Sequence, residues 1–257
     1  MSDGSALSSG RKPGLVNRIR AATPVSRRQF DEVVAQVTQI RRSIDVIAQR
    51  ENLFTKIENF LGTMEGGWCT AKKAHALASI IVALRPALVL EIGVWTGRSL
   101  IPMALACREN KFGKVIGIDP YKAVASVDGQ NAESTGWWSR QQIHDDALKY
   151  FRGKVAEFDV EDYVELHVQP SGDVEPPREL GLLHVDGNHG PQALRDVERF
   201  APRVHVGGFV VLDDIGWAGG AVSASVTSLL ASGFVHVRTA STDGDDWAMY
   251  QRRSASV

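Results

Sequence analysis

Cysteine is scarce: the 257 residues hold two, Cys69 and Cys107, with no CxxC pair and no Cys/His spacing suited to zinc. That argues against a disulfide frame and points to a reducing compartment. Charge of one sign is lacking as well. The 29 basic and 30 acidic side chains leave a net charge of −1, so no global field marks a nucleic-acid or acidic-membrane binder. Missing too is any run of about 18 apolar residues, which a spanning helix would need. The first residues hold no apolar core of a signal peptide. A cytoplasmic protein without membrane or nucleic-acid partners is therefore expected. What is present is an ordinary globule, 44% apolar and 23% charged, long enough for one large α/β domain with an appendage.

Residues 1–25 read as a flexible leader, interrupted by Pro13, Gly14 and Pro24. Before Gln29 the chain is basic, with Arg11, Lys12, Arg18, Arg20, Arg27 and Arg28 against Asp3 alone; both a phosphate-binding arm and a solvated terminus fit that pattern. From Ser26 to Leu61 the pattern turns helical. Val33, Ile40, Ile47, Phe54 and Leu61 recur every seven residues, with Phe30, Val37 and Ile44 as a companion seam that Glu51 and Glu58 interrupt. Residues 26–69 are accordingly expected to cap the active site, to pair two copies into a homodimer, or both.

Residues 70–257 form the main domain. A helix is expected over Thr70–Leu84, stopping before Pro86. Buried strands follow at Ala87–Ile92, Lys114–Ile118, Val164–Val168, Leu182–Val185 and Phe209–Leu212, with helices at Ser99–Glu109, Trp138–Phe151 and Gln192–Phe200 between them. That alternation predicts a Rossmann-like, doubly wound α/β sheet, mostly parallel. Phe234–Thr239 and Trp247–Gln251, joined by a polar Asp-Gly loop, should close it as an antiparallel hairpin.

The densest chemistry lies in Val89-Leu-Glu-Ile-Gly-Val-Trp-Thr-Gly-Arg-Ser99, where a buried strand turns into a helix. Gly93 and Gly97 permit a tight turn that brings backbone N–H groups to a ligand. The spacing is Gly-x-x-x-Gly rather than the dinucleotide fingerprint, and the Trp95 indole occupies the place where a glycine would admit a pyrophosphate. An amino-acid tail suits the turn better. A second strand then ends in Asp119, 22 residues after Gly97, where a carboxylate can accept from ribose hydroxyls.

On Glu91-x-Gly93-x-x-x-Gly97, Ile118-Asp119 and the terminal hairpin, residues 70–252 resemble the class I S-adenosylmethionine-dependent methyltransferases. The resemblance implies that Gly93, Gly97 and the neighbouring turn residues Trp95 and Ser99 hold the methionine moiety. It further implies that Glu91 supports the amino group through the turn, that Asp119 binds the ribose and that Ser171 lies near the adenine, with Asp186 close by.

Two later strand ends also carry acids, in His184-Val-Asp186-Gly-Asn-His189 and Val211-Leu-Asp213-Asp214-Ile-Gly-Trp217. Neighbouring strands would bring Asp186, Asp213 and Asp214 together, an all-oxygen set suited to Mg²⁺ or a similar hard ion. Acids that cap helices and open turns would leave the same pattern. His189, three residues from Asp186, is the candidate general base. Asp-Gly-x-His followed by Asp-Asp resembles the metal-dependent O-methyltransferases of natural-product pathways, including those acting on macrolide sugars. By that resemblance Asp186, Asp213 and Asp214 are metal ligands and His189 is the base that deprotonates a small-molecule hydroxyl.

The long insert after Asp119 contains Trp137 and Trp138, which serve either as a lid or as anchors for the next helix. His144, Asp145 and Asp146 read as a solvated helix face. Trp217 lines the acceptor pocket or fills the core. Beside the metal-dependent enzyme stand a metal-free methyltransferase, a nicotinamide oxidoreductase that Trp95 disfavours, and a non-catalytic cofactor-binding partner.

Overall fold

The apolar run after Pro86 forms strand β1 (Leu88–Ile92), and its alternate residues set the two sides of the core. Val89 faces one hydrophobic cluster and Leu90 the other, as the period of two in a strand requires. The computed structural model describes residues 27–127, 130, 132–217, 221–241 and 246–254. The basic leader and most of the hairpin loop lie outside the described residues.

Seven strands make one sheet in the order β3-β2-β1-β4-β5-β7-β6. They are β1, β2 (Lys114–Ile118), β3 (Val164–His167), β4 (Leu180–Val185), β5 (Val204–Asp213), β6 (Phe234–Ala240) and β7 (Trp247–Arg252). The first five run parallel, and β7 is antiparallel to both β5 and β6. Leu90 faces Ile116 on one side and Leu183 on the other. The chain reverses its direction of travel between β1 and β4, so a crevice opens at their carboxyl ends, where ligands bind in such sheets. The doubly wound fold with its terminal hairpin is thus present.

Eight helices are described: α1 (Arg27–Gly62), α2 (Ala71–Leu84), α3 (Leu100–Asn110), α4 (Ala123–Ser126), α5 (Ala132–Trp138), α6 (Gln141–Glu157), α7 (Pro191–Phe200) and α8 (Ala221–Ala231). Helix α2 begins where the Thr70 side chain accepts from the Lys73 amide at 3.2 Å, and ends at Arg85, which is left-handed at φ 48° just before Pro86. Helix α8 was not expected. Its Ser, Thr and Val residues are weak helix formers, and burial of Val222 and Leu229 supplies what propensity does not.

The chain divides into two units, residues 1–48 and 49–257, with the division inside α1. In the first, Phe30, Val33, Val37, Ile40, Ile44 and Ile47 are exposed. In the second, Leu53, Ile57, Phe60 and Leu61 enter the core. The seven-residue repeat names Phe54 and Leu61 but misses Leu53, Ile57 and Phe60. A straight helix has 3.6 residues per turn, so the buried stripe drifts off a 3.5-residue repeat.

Candidate functional site

The turn after β1 is held by its own backbone. The Gly93 amide donates to the Ile118 carbonyl at 2.9 Å and the Gly97 amide to Val94 at 2.8 Å. Both glycines are left-handed, at φ 88° and 82°. A Cβ on Gly93 would lie 2.0 Å from the Asp186 carbonyl oxygen, and one on Gly97 would lie 2.4 Å from the Phe151 ring. The glycines therefore serve close packing, and their N–H groups are not the ones offered to a ligand. Gly93 borders the cavity described below; Gly97 stands behind it.

Asp119 ties this turn to the end of β2. Its Oδ2 accepts from the Val94 and Trp95 amides, each at 2.9 Å, and its Oδ1 from the Tyr121 amide at 2.7 Å. Burial pushes its carboxyl above the usual carboxylate range, while those amides pull it back. A carboxylate has about four acceptor positions, so one is left for a hydroxyl in the cavity. Trp95 is itself left-handed at φ 49°. Its indole meets that of Trp138 at 4.9 Å and that of Trp137 at 5.5 Å.

Glu91 is fully buried and lies behind the wall rather than in it. Its Oε1 accepts from the Ser99 hydroxyl and faces His184 Nδ1 at 2.7 Å. Its Oε2 and His184 Nε2 are both buried without a hydrogen-bond partner. Ser99, which does border the cavity, is thereby aimed by a charged group underneath it. Across the crevice Ser171 donates to Asp196 Oδ1 at 2.6 Å, and Gln192 reaches both, at 3.2 Å and 2.7 Å.

At the ends of β4 and β5, Asp186, Asp213 and Asp214 converge, each offering an oxygen within 4.8 Å of the others. Into this group reaches the ammonium of Lys73, which contacts Asp213 Oδ2, lies 3.4 Å from Asp186 Oδ2 and donates to the Trp68 carbonyl at 3.1 Å. Burial works against the Lys73 charge, but Asp186 and Asp213 outweigh it and hold the ammonium well above the ordinary lysine range. Burial, and then the neighbouring Asp213, push Asp186 far up, and the same two causes push Asp214 up to about 7. His189 Nδ1 lies 3.3 Å from Asp214 Oδ2, and its ring stacks on Trp217 at 4.2 Å. Burial lowers the His189 imidazole below its ordinary value.

These groups share one cavity of about 640 Å³, bordered by Gly93, Trp95, Ser99, Asp119, Ser171, Asp186, His189, Asp213, Asp214 and Trp217. Of the expected cofactor residues, only Glu91 and Gly97 stand back from it. Trp138 borders it and Trp137 backs Trp138 at 4.7 Å. His144 is not on a solvated face: it is buried, with Nε2 at 2.9 Å from the Trp138 carbonyl. The insert packs down on α6 and covers it.

Sequence reasoning missed Lys73, His184 and Asp196. Lys73 had a signal, since it falls four and eight residues before Leu77 and Ile81, in phase with the apolar stripe of α2. Asp196 had a weaker one, on the helix face of Ala193, Val197 and Phe200.

Residues 90–215 match the family model described as a methyltransferase domain. No curated protein matches the chain. Among solved structures, the O-methyltransferase TomG of Streptomyces achromogenes, involved in tomaymycin synthesis and in complex with SAM, is 16% identical. The match covers 80% of this chain and 90% of that one, with a TM-score of 0.52. The O-methyltransferase NovP is 19% identical over 71% and 79% of the two chains, TM-score 0.55. The SAH-bound methyltransferase PaMTH1 of Podospora anserina is 13% identical over 83% and 96%, TM-score 0.53. At such identities the likeness is one of fold. Over residues 90–215 the chain thus matches a methyltransferase domain, and its fold is that of the methyltransferases just named.

Proposed function

We propose that the chain transfers the methyl group of S-adenosylmethionine to a hydroxyl of a small molecule, with a divalent cation at Asp186, Asp213 and Asp214. The observation that carries this is the shared cavity, bordered both by the turn of β1 and by the three acids with His189. Its volume suits a cofactor together with a small acceptor.

The residues fit the cofactor. Ser99, backed by the buried Glu91, and the remaining acceptor position of Asp119 supply polar contacts at separate points of the wall. The Glu91 Oε2, buried without a hydrogen-bond partner, leaves a spare acceptor behind the turn. The Trp95 and Trp138 rings close the apolar side. S-adenosylmethionine supplies an electrophilic methyl on sulfonium sulfur.

The acids fit a hard cation, being three carboxylates gathered within reach of one ion. When bound, such an ion lowers the pKa of an acceptor hydroxyl and fixes its direction. His189 does the proton work. An Nδ1 proton directed at Asp214 leaves the Nε2 lone pair as acceptor, and its lowered pKa keeps it neutral near pH 7. Trp217 holds the ring in place by stacking. Tomaymycin synthesis, in which TomG takes part, supports a natural-product hydroxyl as the acceptor class. The apolar seam of α1, spaced three and four residues apart from Phe30 to Ile47, is read as pairing with a second copy.

The test is methyl transfer from labelled S-adenosylmethionine to a panel of catechol, phenol and sugar hydroxyls, with Mg²⁺ and with EDTA. Transfer that requires Mg²⁺ supports the reading, and cofactor binding without any transfer would sink it. Transfer that survives EDTA supports a second reading, metal-free chemistry at the same site, which the Lys73 ammonium on Asp186 and Asp213 favours.

A further inference from the structure

Lys73 is 2% exposed, and its stem runs in phase with Leu77 and Ile81, both fully buried. Nothing in that packing calls for a charge, since a methionine of similar volume would fill most of the same space. All three ammonium protons nevertheless find acceptors, on Asp213, Asp186 and the Trp68 carbonyl. A buried lysine is rare unless paired, and two buried carboxylates side by side are costly without a cation. Lys73 satisfies both conditions with one group. It comes from α2, on the protein side of the acids, and does not itself border the cavity, whereas Asp186, Asp213 and Asp214 do.

The oxygens that Lys73 uses are Oδ2 of Asp186 and Oδ2 of Asp213, on two of the three carboxylates a divalent ion would need. An ammonium and a dication on the same two carboxylates repel one another. We propose that Lys73 is the built-in counter-ion of the acid cluster, and that a divalent cation takes Asp186 and Asp213 only by exchange with it. The acids thus remain compensated when no metal is present, and metal affinity is set by the Lys73 contact as well as by the carboxylates. Lys73 is a positioning residue here, touching neither cofactor nor acceptor. The exchange rests on the reading of the cluster as a divalent-cation site.

The experiment is Mn²⁺ binding to the full chain with S-adenosylhomocysteine present, followed by calorimetry and by the electron paramagnetic resonance of free Mn²⁺. Lys73→Met is compared with wild type. Removal of the competing charge is expected to tighten Mn²⁺ at least about tenfold; a variant merely loosened in structure would bind more weakly. Equal or weaker binding by the variant overturns the exchange and leaves the metal reading standing, provided wild type binds Mn²⁺. Binding by neither protein overturns both. Should Lys73→Met fail to bind S-adenosylhomocysteine, wild type alone decides, through reductive methylation and peptide mass spectrometry. Lys73 protected without Mn²⁺ and labelled with it supports exchange, and protection in both overturns it.

Discussion

Gly93→Ala places a methyl group where the structure has no room for one. The new Cβ would meet the Asp186 carbonyl oxygen at 2.0 Å, its carbonyl carbon at 2.5 Å and the Gly187 Cα at 2.7 Å, all backbone atoms that no rotamer change can move aside. The chains leaving β1 and β4 must therefore part by about an ångström. That breaks the bond from the Asp186 amide to the Ile92 carbonyl, now 2.8 Å. The left-handed backbone at φ 88° costs an alanine about 1–2 kcal/mol, and forced repacking of a filled site costs about 1–3 kcal/mol more. The expected loss is thus about 2–5 kcal/mol, read as a shift of the urea midpoint at unchanged slope. Because Asp186 moves with its backbone, S-adenosylhomocysteine binding by calorimetry should fall with it. Gly153→Ala in α6 is the control: its Cβ meets nothing within 4 Å, and a helical glycine replaced by alanine gains about 0.5–1 kcal/mol. Gly93→Ala within about 0.5 kcal/mol of wild type, the range of neutral surface changes, would refute this account of the turn.

Asp213→Ala should retain S-adenosylmethionine affinity, lose Mg²⁺-dependent transfer and cost about 3 kcal/mol, because a buried ammonium loses its nearest partner; calorimetry, turnover and urea unfolding read the three effects separately. Cys69 and Cys107 are buried, and burial pushes the Cys107 thiol up to about 12 and Cys69 higher still. Thiolate is thus scarce at pH 8, and Ellman's reagent should read no thiol in the native protein and two after unfolding. Prompt native labelling would contradict the burial. Ile40→Asp in the exposed seam of α1 should shift sedimentation from dimer to monomer while cofactor affinity stays unchanged; a monomeric wild type would remove the pairing.

The turn and the sheet were legible because each is written locally. The run Leu88–Ile92, the two glycines and Asp119 lie within 32 residues, and their spacing alone dictates strand, turn and partner strand. The acids were legible for a related reason: each ends a parallel strand, and adjacent strands bring such ends together. Lys73 was not, because it comes from a helix 113 residues before Asp186 in the chain, and a lone lysine on an amphipathic helix usually extends its charge into water. His144 looked solvated because Asp145 and Asp146 follow it, yet the next two positions of a helix point to other faces. Its own face is set by the insert folding over it, a contact no local pattern records. The glycines carried a subtler error. Their position was readable, but a left-handed glycine admits a ligand or a neighbouring strand equally well, and only the Asp186 carbonyl 2.0 Å from a hypothetical Cβ separates the two.

The two halves of the site are joined beneath the cavity, and that link constrains how either can be altered. Ser99 contacts Glu91, Glu91 contacts His184, and His184 Nε2 lies 3.8 Å from Asp186 Oδ2, which in turn faces Lys73. Each group in this row is buried or half-buried, so a charge removed at one end is felt at the other with little screening. Substitutions at Glu91 and Asp186 should accordingly fail to add. The link also gives Glu91 a place in a strand of aliphatic residues, since its Oε1 meets both the Ser99 hydroxyl and His184 Nδ1 and so ties the turn to the acid cluster.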